Sequence, residues 1–364
     1  MIRFPVSKPS LTNRERSLLL AAFDSGQITQ GPLVEDFERR LADYLNVGYA
    51  VACSSGTTAL HLATAAFLEP GDEVLVPDLT FVATVNAVCY ANAVPVLCDI
   101  DPIDWSISLD DAEKKLSART KAIVVVHLYG QAANMTAIVE FAEKHGLVVI
   151  EDAAEGLGGK FGANALGTMG EAGTFSFFGN KIITTGEGGA VVTEDEELAA
   201  QFRLLRGQGQ TDRRYFHSTI GFNYRMTELQ AALGIAQLGR IDELIAQRED
   251  VMSWYREWAE QLDLVHVRAE SAPWLFTFQV PRGIKRKALQ DALLSDGIDT
   301  RTTFVPMHEL PMFERPGAQF PVATDFGSRG LSLPTYPGLS WEDVRYITDS
   351  ASIAMRRHSL KGVS

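Results

Sequence analysis

Cysteine is scarce in this 364-residue chain: Cys53, Cys89 and Cys98 are all it has, and pairing two of them would leave an odd thiol. Their spacing fits no metal-binding pattern, so a disulfide scaffold is disfavoured and a reducing compartment is expected. Basic charge is also short, with 33 lysines and arginines against 46 acidic residues and a formal net charge of −13. Such a balance argues against nonspecific binding of nucleic acid or a membrane surface, so neither is an expected partner. No run of eighteen apolar residues occurs, and no basic N-terminal segment leads into an apolar stretch of signal length. A cytoplasmic protein of bacterial type is expected. The seven histidines lack ligand spacing, so no metal is expected. Internal repeats and low-complexity segments are missing too.

What is present reads as an α/β enzyme. Strand-like runs at Glu73 to Val76, Val94 to Asp99, Ala122 to Val126 and Leu147 to Ile150 alternate with helix-like stretches around Thr80 to Tyr90 and Thr136 to His145. This is βα repetition. Met226 to Leu262 carries apolar residues at helical spacing and predicts a helix pair leading out of a large domain. A smaller α+β unit follows, marked by the strand-like Trp274 to Val280 and a helix around Arg286 to Leu294. The prolines at 306, 311, 316 and 321 are interleaved with hydrophobics and predict ordered loop. The expected division is 1–240 for a large domain with an N-terminal arm and 241–364 for the small domain.

Three segments carry chemistry. Gly173 to Lys181 alternates as a strand up to Phe177, with Ser176 and the aromatics on opposite faces, and the following Gly186-Glu187-Gly188-Gly189 marks tight turns. A lysine at such a corner points into a cavity, or is a surface lysine beside a hairpin. Leu147 to Ile150 is an apolar run of buried-strand type leading into Glu151-Asp152, and ligands of α/β sheets collect at the carboxyl ends of strands. Asp152 could equally cap a helix. Pyridoxal 5′-phosphate needs a lysine for its Schiff base and an acid to keep its ring nitrogen protonated, and Lys181 and Asp152 fit those roles. Cys53 to Leu62 places small and hydroxyl residues before an apolar helix, a pattern that serves either as a phosphate cradle at Gly56 and Thr57 or as an ordinary N-cap.

With Pro77 to Thr84, Glu151 to Glu155 and Gly221-Phe222-Asn223-Tyr224-Arg225-Met226 added, these motifs resemble, in order and over nearly the whole chain, the DegT/StrS nucleotide-sugar aminotransferases. The resemblance implies the fold type I aminotransferase architecture, with a mixed, mostly parallel seven-stranded sheet in the large domain. It implies Lys181 as the covalent anchor and base, and Asp152 as partner of the pyridinium. Gly56, Thr57 and Ser176 would hold the phosphate, Phe81 would stack on the ring, and Glu155 would lie beside its hydroxyl. Asn223 would reach the cofactor of a neighbouring subunit, so a homodimer or higher homo-oligomer is implied. Gly156 departs from the family, which more often carries alanine there.

Transamination from glutamate through pyridoxamine phosphate to a nucleotide-linked 4-keto-6-deoxy sugar follows from the resemblance. The segments around Lys181, Leu204 to Gly209 and Pro306 to Pro311 look most like the branch that converts GDP-4-keto-6-deoxymannose into GDP-perosamine, an O-antigen sugar of lipopolysaccharide. The alternatives are a UDP- or dTDP-linked or other keto sugar, and a non-catalytic regulatory homologue. Dehydratases on this scaffold replace the lysine with histidine, and here the position is Lys181. Candidate substrate contacts are His217, Arg225, Arg301 and His308, with Arg206 a further candidate for the diphosphate. His127 either lines the site or is a core histidine. The glycines at 156–159 and 207–209 follow no strand and open no helix, as a dinucleotide fold would require.

Overall fold

The computed structural model describes residues 2–268, 271–315 and 317–359. Pro316 of the proline-rich stretch lies outside the described residues, as do Met1 and 360–364 from the ends of the expected domain ranges.

Seven strands form the main sheet: β1 (Tyr49–Cys53), β2 (Glu73–Pro77), β3 (Val94–Cys98), β4 (Thr120–Val126), β5 (Val148–Asp152), β6 (Ala172–Ser176) and β7 (Gly189–Thr193). Their order across the sheet is β1-β7-β6-β5-β4-β2-β3, and β7 alone runs antiparallel to its neighbours. The fold is therefore α/β with a mixed, mostly parallel sheet. Helices on both faces explain why the inner strands read as unbroken apolar runs, since both sides of each must be buried. From Ala122 to Val126 every side chain is buried. The helices Gly56–Phe67, Val82–Tyr90 and Met135–His145 return the chain between strands, and each parallel strand ends at the same edge, where β5 presents Asp152.

The expected helix pair is Glu228–Leu238 and Ile241–Gln261, interrupted at Gly239 and Arg240. Beyond it Thr277–Gln279, Gly330–Ser332 and Arg301–Thr302 make a small antiparallel sheet, with Gly330–Ser332 in the middle. The strand expected over Trp274 to Val280 is only three residues long because its first half pairs irregularly. Phe276 N–H donates to the Thr335 hydroxyl at 2.9 Å, and Leu333 N–H donates to the Phe276 carbonyl at 2.9 Å. Residues near the N-terminus pack on this second unit, for Arg3 and Phe4 N–H both donate to the Gly297 carbonyl and Thr335 N–H donates to that of Val6.

Three buried charged residues fix the frame behind the site. Glu228 accepts from the N–H groups of Leu33 and Val34, capping the helix Pro32–Leu45 whose first turn has free amides. Glu38 pairs with the buried Arg206, and the two hydrogen-bond the carbonyl and N–H of Ala52 in β1. Arg206 is thus committed inside the core and not presented to a ligand. Gly189 in β7 is required by close approach, because a Cβ there would lie 2.4 Å from the Ser55 backbone and would displace the turn before Gly56. Among the described residues no helix is long and apolar enough to cross a membrane.

Candidate active site

At the carboxyl edge of the sheet lies a cavity of about 380 Å³, with walls from both units. One end is the start of helix Gly56–Phe67, where Ser55 and Thr58 form a capping box and leave the first amides aimed outward. Gly56 and Thr57 N–H donate to no acceptor among the described residues. Ser176, the last residue of β6, comes so close that a Cβ on residue 56 would lie 2.8 Å from its own Cβ. Free amides, a hydroxyl and a helix N-terminus make a site for a phosphate dianion. Phe81 forms a side wall, half exposed, with its ring 5.5 Å from that of Phe304.

The floor holds three ionisable groups. Asp152, buried at the end of β5, accepts from the Thr84 hydroxyl at 2.7 Å and from Ala154 N–H at 3.1 Å. Glu155 accepts from Tyr129 N–H at 2.7 Å and faces Lys181 with 3.7 Å between Oε1 and Nζ. Burial outweighs their attraction: it raises the pKa of Asp152, pushes that of Glu155 up to about 7, and lowers that of Lys181. Desolvation penalises each charged form, and the single amine cannot neutralise two carboxylates. Asn180, also on the wall, has a buried Oδ1 without a partner among the described residues. A ring bearing a positive nitrogen, a hydroxyl and a phosphate matches this donor set at each end.

Of the expected residues, Gly56, Thr57, Phe81, Asp152, Glu155, Ser176, Lys181 and Arg301 line this one cavity. The others stand elsewhere. His308 donates its backbone N–H to Asp78 at 2.9 Å, and its Nδ1 lies 2.6 Å from the other oxygen of the same buried carboxylate. This docks the Pro306 to Leu310 segment on the end of β2. His217 donates from Nδ1 to the Gln208 carbonyl in an exposed hairpin, and Asn223 and Arg225 are exposed on the return from it. His127 is a satisfied core histidine. Because Ala133 N–H can only donate, Nδ1 accepts, and Nε2–H donates to Glu151 at 2.9 Å. At Gly156 an added Cβ would sit 3.3 Å from the Cβ atoms of Ala153 and Leu166, close enough that these neighbours must give by a few tenths of an ångström.

Sequence reading missed Trp274, Phe304 and Thr84. Trp274 packs its ring under Lys181, with Nζ 4.1 Å from the centroid, and its indole N–H donates to the Asn180 carbonyl at 2.9 Å. It sits in an apolar run that reads as core. Thr84 lies one helical turn after Thr80 and shares a 2.8 Å hydroxyl contact with it, a spacing visible in the sequence once a nearby carboxylate is known.

Comparison with known proteins places this chemistry. Residues 9–352 match the DegT/DnrJ/EryC1/StrS aminotransferase family. A relative from Caulobacter vibrioides named GDP-perosamine synthase is 44% identical over 94% of this chain and 95% of its own length. Another of that name, from Escherichia coli O157:H7, is 42% identical over 95% of this chain and 97% of its own. Among solved structures, a putative sugar aminotransferase from Streptococcus pneumoniae in its PMP form superposes with a TM-score of 0.95, at 26% identity, covering 99% of each chain. The chain belongs to the DegT/DnrJ/EryC1/StrS aminotransferase family and is a pyridoxal phosphate-dependent sugar aminotransferase of fold type I.

The cavity's electrostatics predict a pH effect on stability. Burial pushes the pKa of Glu155 up to about 7 in the folded protein, against 4.5 for a free glutamate side chain. Between these pH values the native state binds more protons, so stability falls as pH rises through the window. In cofactor-free protein, the unfolding free energy of wild type minus that of Glu155→Gln should drop by roughly 1–3 kcal/mol from pH 5 to pH 8. Urea melts at the two pH values measure it, and a constant difference would remove the buried-acid assignment.

Proposed function

We propose that the chain moves the amino group of glutamate to the 4-keto group of GDP-4-keto-6-deoxymannose, giving GDP-perosamine, in the cavity at Lys181. The observation carrying the site is one desolvated amine between two buried carboxylates, beyond the free amides of a helix start. The sugar rests on the names of the two full-length relatives above.

Bound pyridoxal phosphate supplies a protonated conjugated ring that accepts the electron pair released when the donor's Cα–H bond breaks. The protein's own groups do the rest. Gly56 and Thr57 amides and the Ser176 hydroxyl bind the phosphate. Asp152, oriented by Thr84 and Ala154, holds the positive ring nitrogen, and Phe81 covers the ring face. Burial favours the neutral form of Lys181, so its Nζ can take the Cα proton of glutamate and later deliver one to the aminated sugar carbon. Glu155, at 3.7 Å from that nitrogen, stabilises its ammonium form. Trp274 and Phe304 exclude water, and Arg301 at the cavity wall meets the diphosphate.

The chain is read as two domains divided at 240/241, where the two long helices are interrupted, and as a cytoplasmic homodimer. Asn223 stands exposed and does not line its own cavity, and Tyr215 and Ile220 of the preceding hairpin are exposed too, as a segment serving a partner's site would be.

Borohydride reduction of the coloured enzyme should fix the cofactor on Lys181. Asp152→Asn, which keeps the shape and removes the charge, should cut turnover by roughly 10²–10⁴-fold. A near-normal rate, or an adduct mapped to another lysine, would refute these roles. Mixing inactive Lys181→Ala with Asn223→Ala should restore activity in hybrid dimers, because one of their two sites carries both wild-type groups. No recovery after verified subunit exchange would end the shared-site reading. Offered GDP-, UDP- and dTDP-linked 4-keto-6-deoxy sugars with glutamate, the enzyme should favour the GDP compound in kcat/KM by at least about tenfold, or roughly 1.4 kcal/mol. Equal use of a UDP or dTDP sugar would keep the transaminase and discard this substrate.

A further inference from the structure

Arg248, on the helix Ile241–Gln261, is 1% exposed, and burial lowers the pKa of its guanidinium to about 10. No carboxylate pairs with it among the described residues. A lone buried charge is costly and is tolerated where hydrogen bonds compensate it, here at both terminal nitrogens, while Nε has no partner among the described residues. Its Nη1 donates to the carbonyls of Trp274 and Thr335, each at 3.0 Å, and its Nη2 to the carbonyl of Lys181 at 3.4 Å. These three carbonyls belong to three separate segments and find no other donor among the described residues. Only a forked cation reaches all three from one point.

The consequence lies at the amine. Trp274 is tied to the lysine's turn twice, by its own carbonyl through Arg248 and by its indole N–H to Asn180 at 2.9 Å. Its ring face lies 4.1 Å from Lys181 Nζ. One guanidinium therefore fixes both the backbone from which the lysine springs and the surface on which its amine rests.

We propose that Arg248 is a positioning residue for the reaction, clamping Lys181 to Trp274 across the two units so that Nζ is held where it reacts. The inference rests on Lys181 being the reacting amine. Arg248→Met and Arg248→Lys are compared with wild type by three measurements. These are the rate at which cofactor-free protein captures pyridoxal phosphate on Lys181, trapped by borohydride and mapped by mass spectrometry; kcat per trapped site; and KM for the keto sugar. Loss of the clamp should slow capture by about fivefold or more and lower kcat per trapped site by about tenfold or more, since small misplacements at a reacting atom are costly. KM should stay within about twofold, with the lysine variant intermediate. A merely structural arginine would reduce the number of competent sites but not the rate of each. Wild-type capture and wild-type kcat per site in Arg248→Met would overturn the proposal. If that variant does not fold, Arg248→Lys decides by the same numbers, and wild-type rates in it again overturn the proposal. A wild-type adduct on another lysine would bring down the Lys181 reading as well, which separates the two failures.

Discussion

Burying an amine beside two carboxylates puts three groups where water cannot solvate them, and much of the surrounding structure serves to make that state tolerable. Asp152 draws a hydroxyl from Thr84 and an amide from Ala154, while Glu155 draws an amide from Tyr129. Tyr129 can offer that amide because its backbone is left-handed, at φ 56°, a cost borne by a fully buried non-glycine residue. Its hydroxyl meanwhile accepts from Phe304 N–H at 2.8 Å, so the same residue joins Glu155 to the unit that carries Arg301. Compensation of charge and attachment of the second unit are one construction.

That coupling explains why the cavity has walls from sequence-distant segments. The sheet supplies Asp152 and Ser176 at its carboxyl edge, but a sheet edge alone leaves the amine of Lys181 open to water. Trp274, Phe304 and Arg301 come from beyond residue 270 and complete the enclosure. Desolvation of Lys181 is thus a property of both units docked together. A change that loosens the docking would let the pKa of Lys181 rise back towards its ordinary value and weaken the base role proposed for it.

What could be read from the chain follows the same division. Parallel strands covered on both faces must be apolar throughout, so the sheet was legible, and with it the strand ends that place Asp152 and Lys181. Arg248 and Trp274 were not legible in function, since their roles depend on carbonyls 67, 26 and 87 residues from the arginine and no local pattern encodes such convergence. An apolar run containing tryptophan reads as core by periodicity alone. His308 shows a contact the chain does not announce locally: a histidine in a proline-rich loop suggests a ligand contact, and its Nδ1 is engaged by Asp78, 230 residues away.

The exposed hairpin carries the remaining constraint. Tyr215, Ile220 and Phe216 are large apolar side chains 76%, 87% and 47% exposed, on a segment closed by the Gln210 to His217 bridge and by Phe222 N–H donating to Leu205. A monomer gains nothing from displaying them. At the hairpin's base the Tyr224 hydroxyl meets His61 Nδ1 at 2.9 Å, and the Tyr224 carbonyl accepts from Ser54 N–H at 2.8 Å, just before the Gly56 turn. In the proposed homodimer, a partner covering the hairpin would be connected through these two residues to the phosphate end of the cavity, and cofactor retention and subunit association would then be thermodynamically linked in both directions.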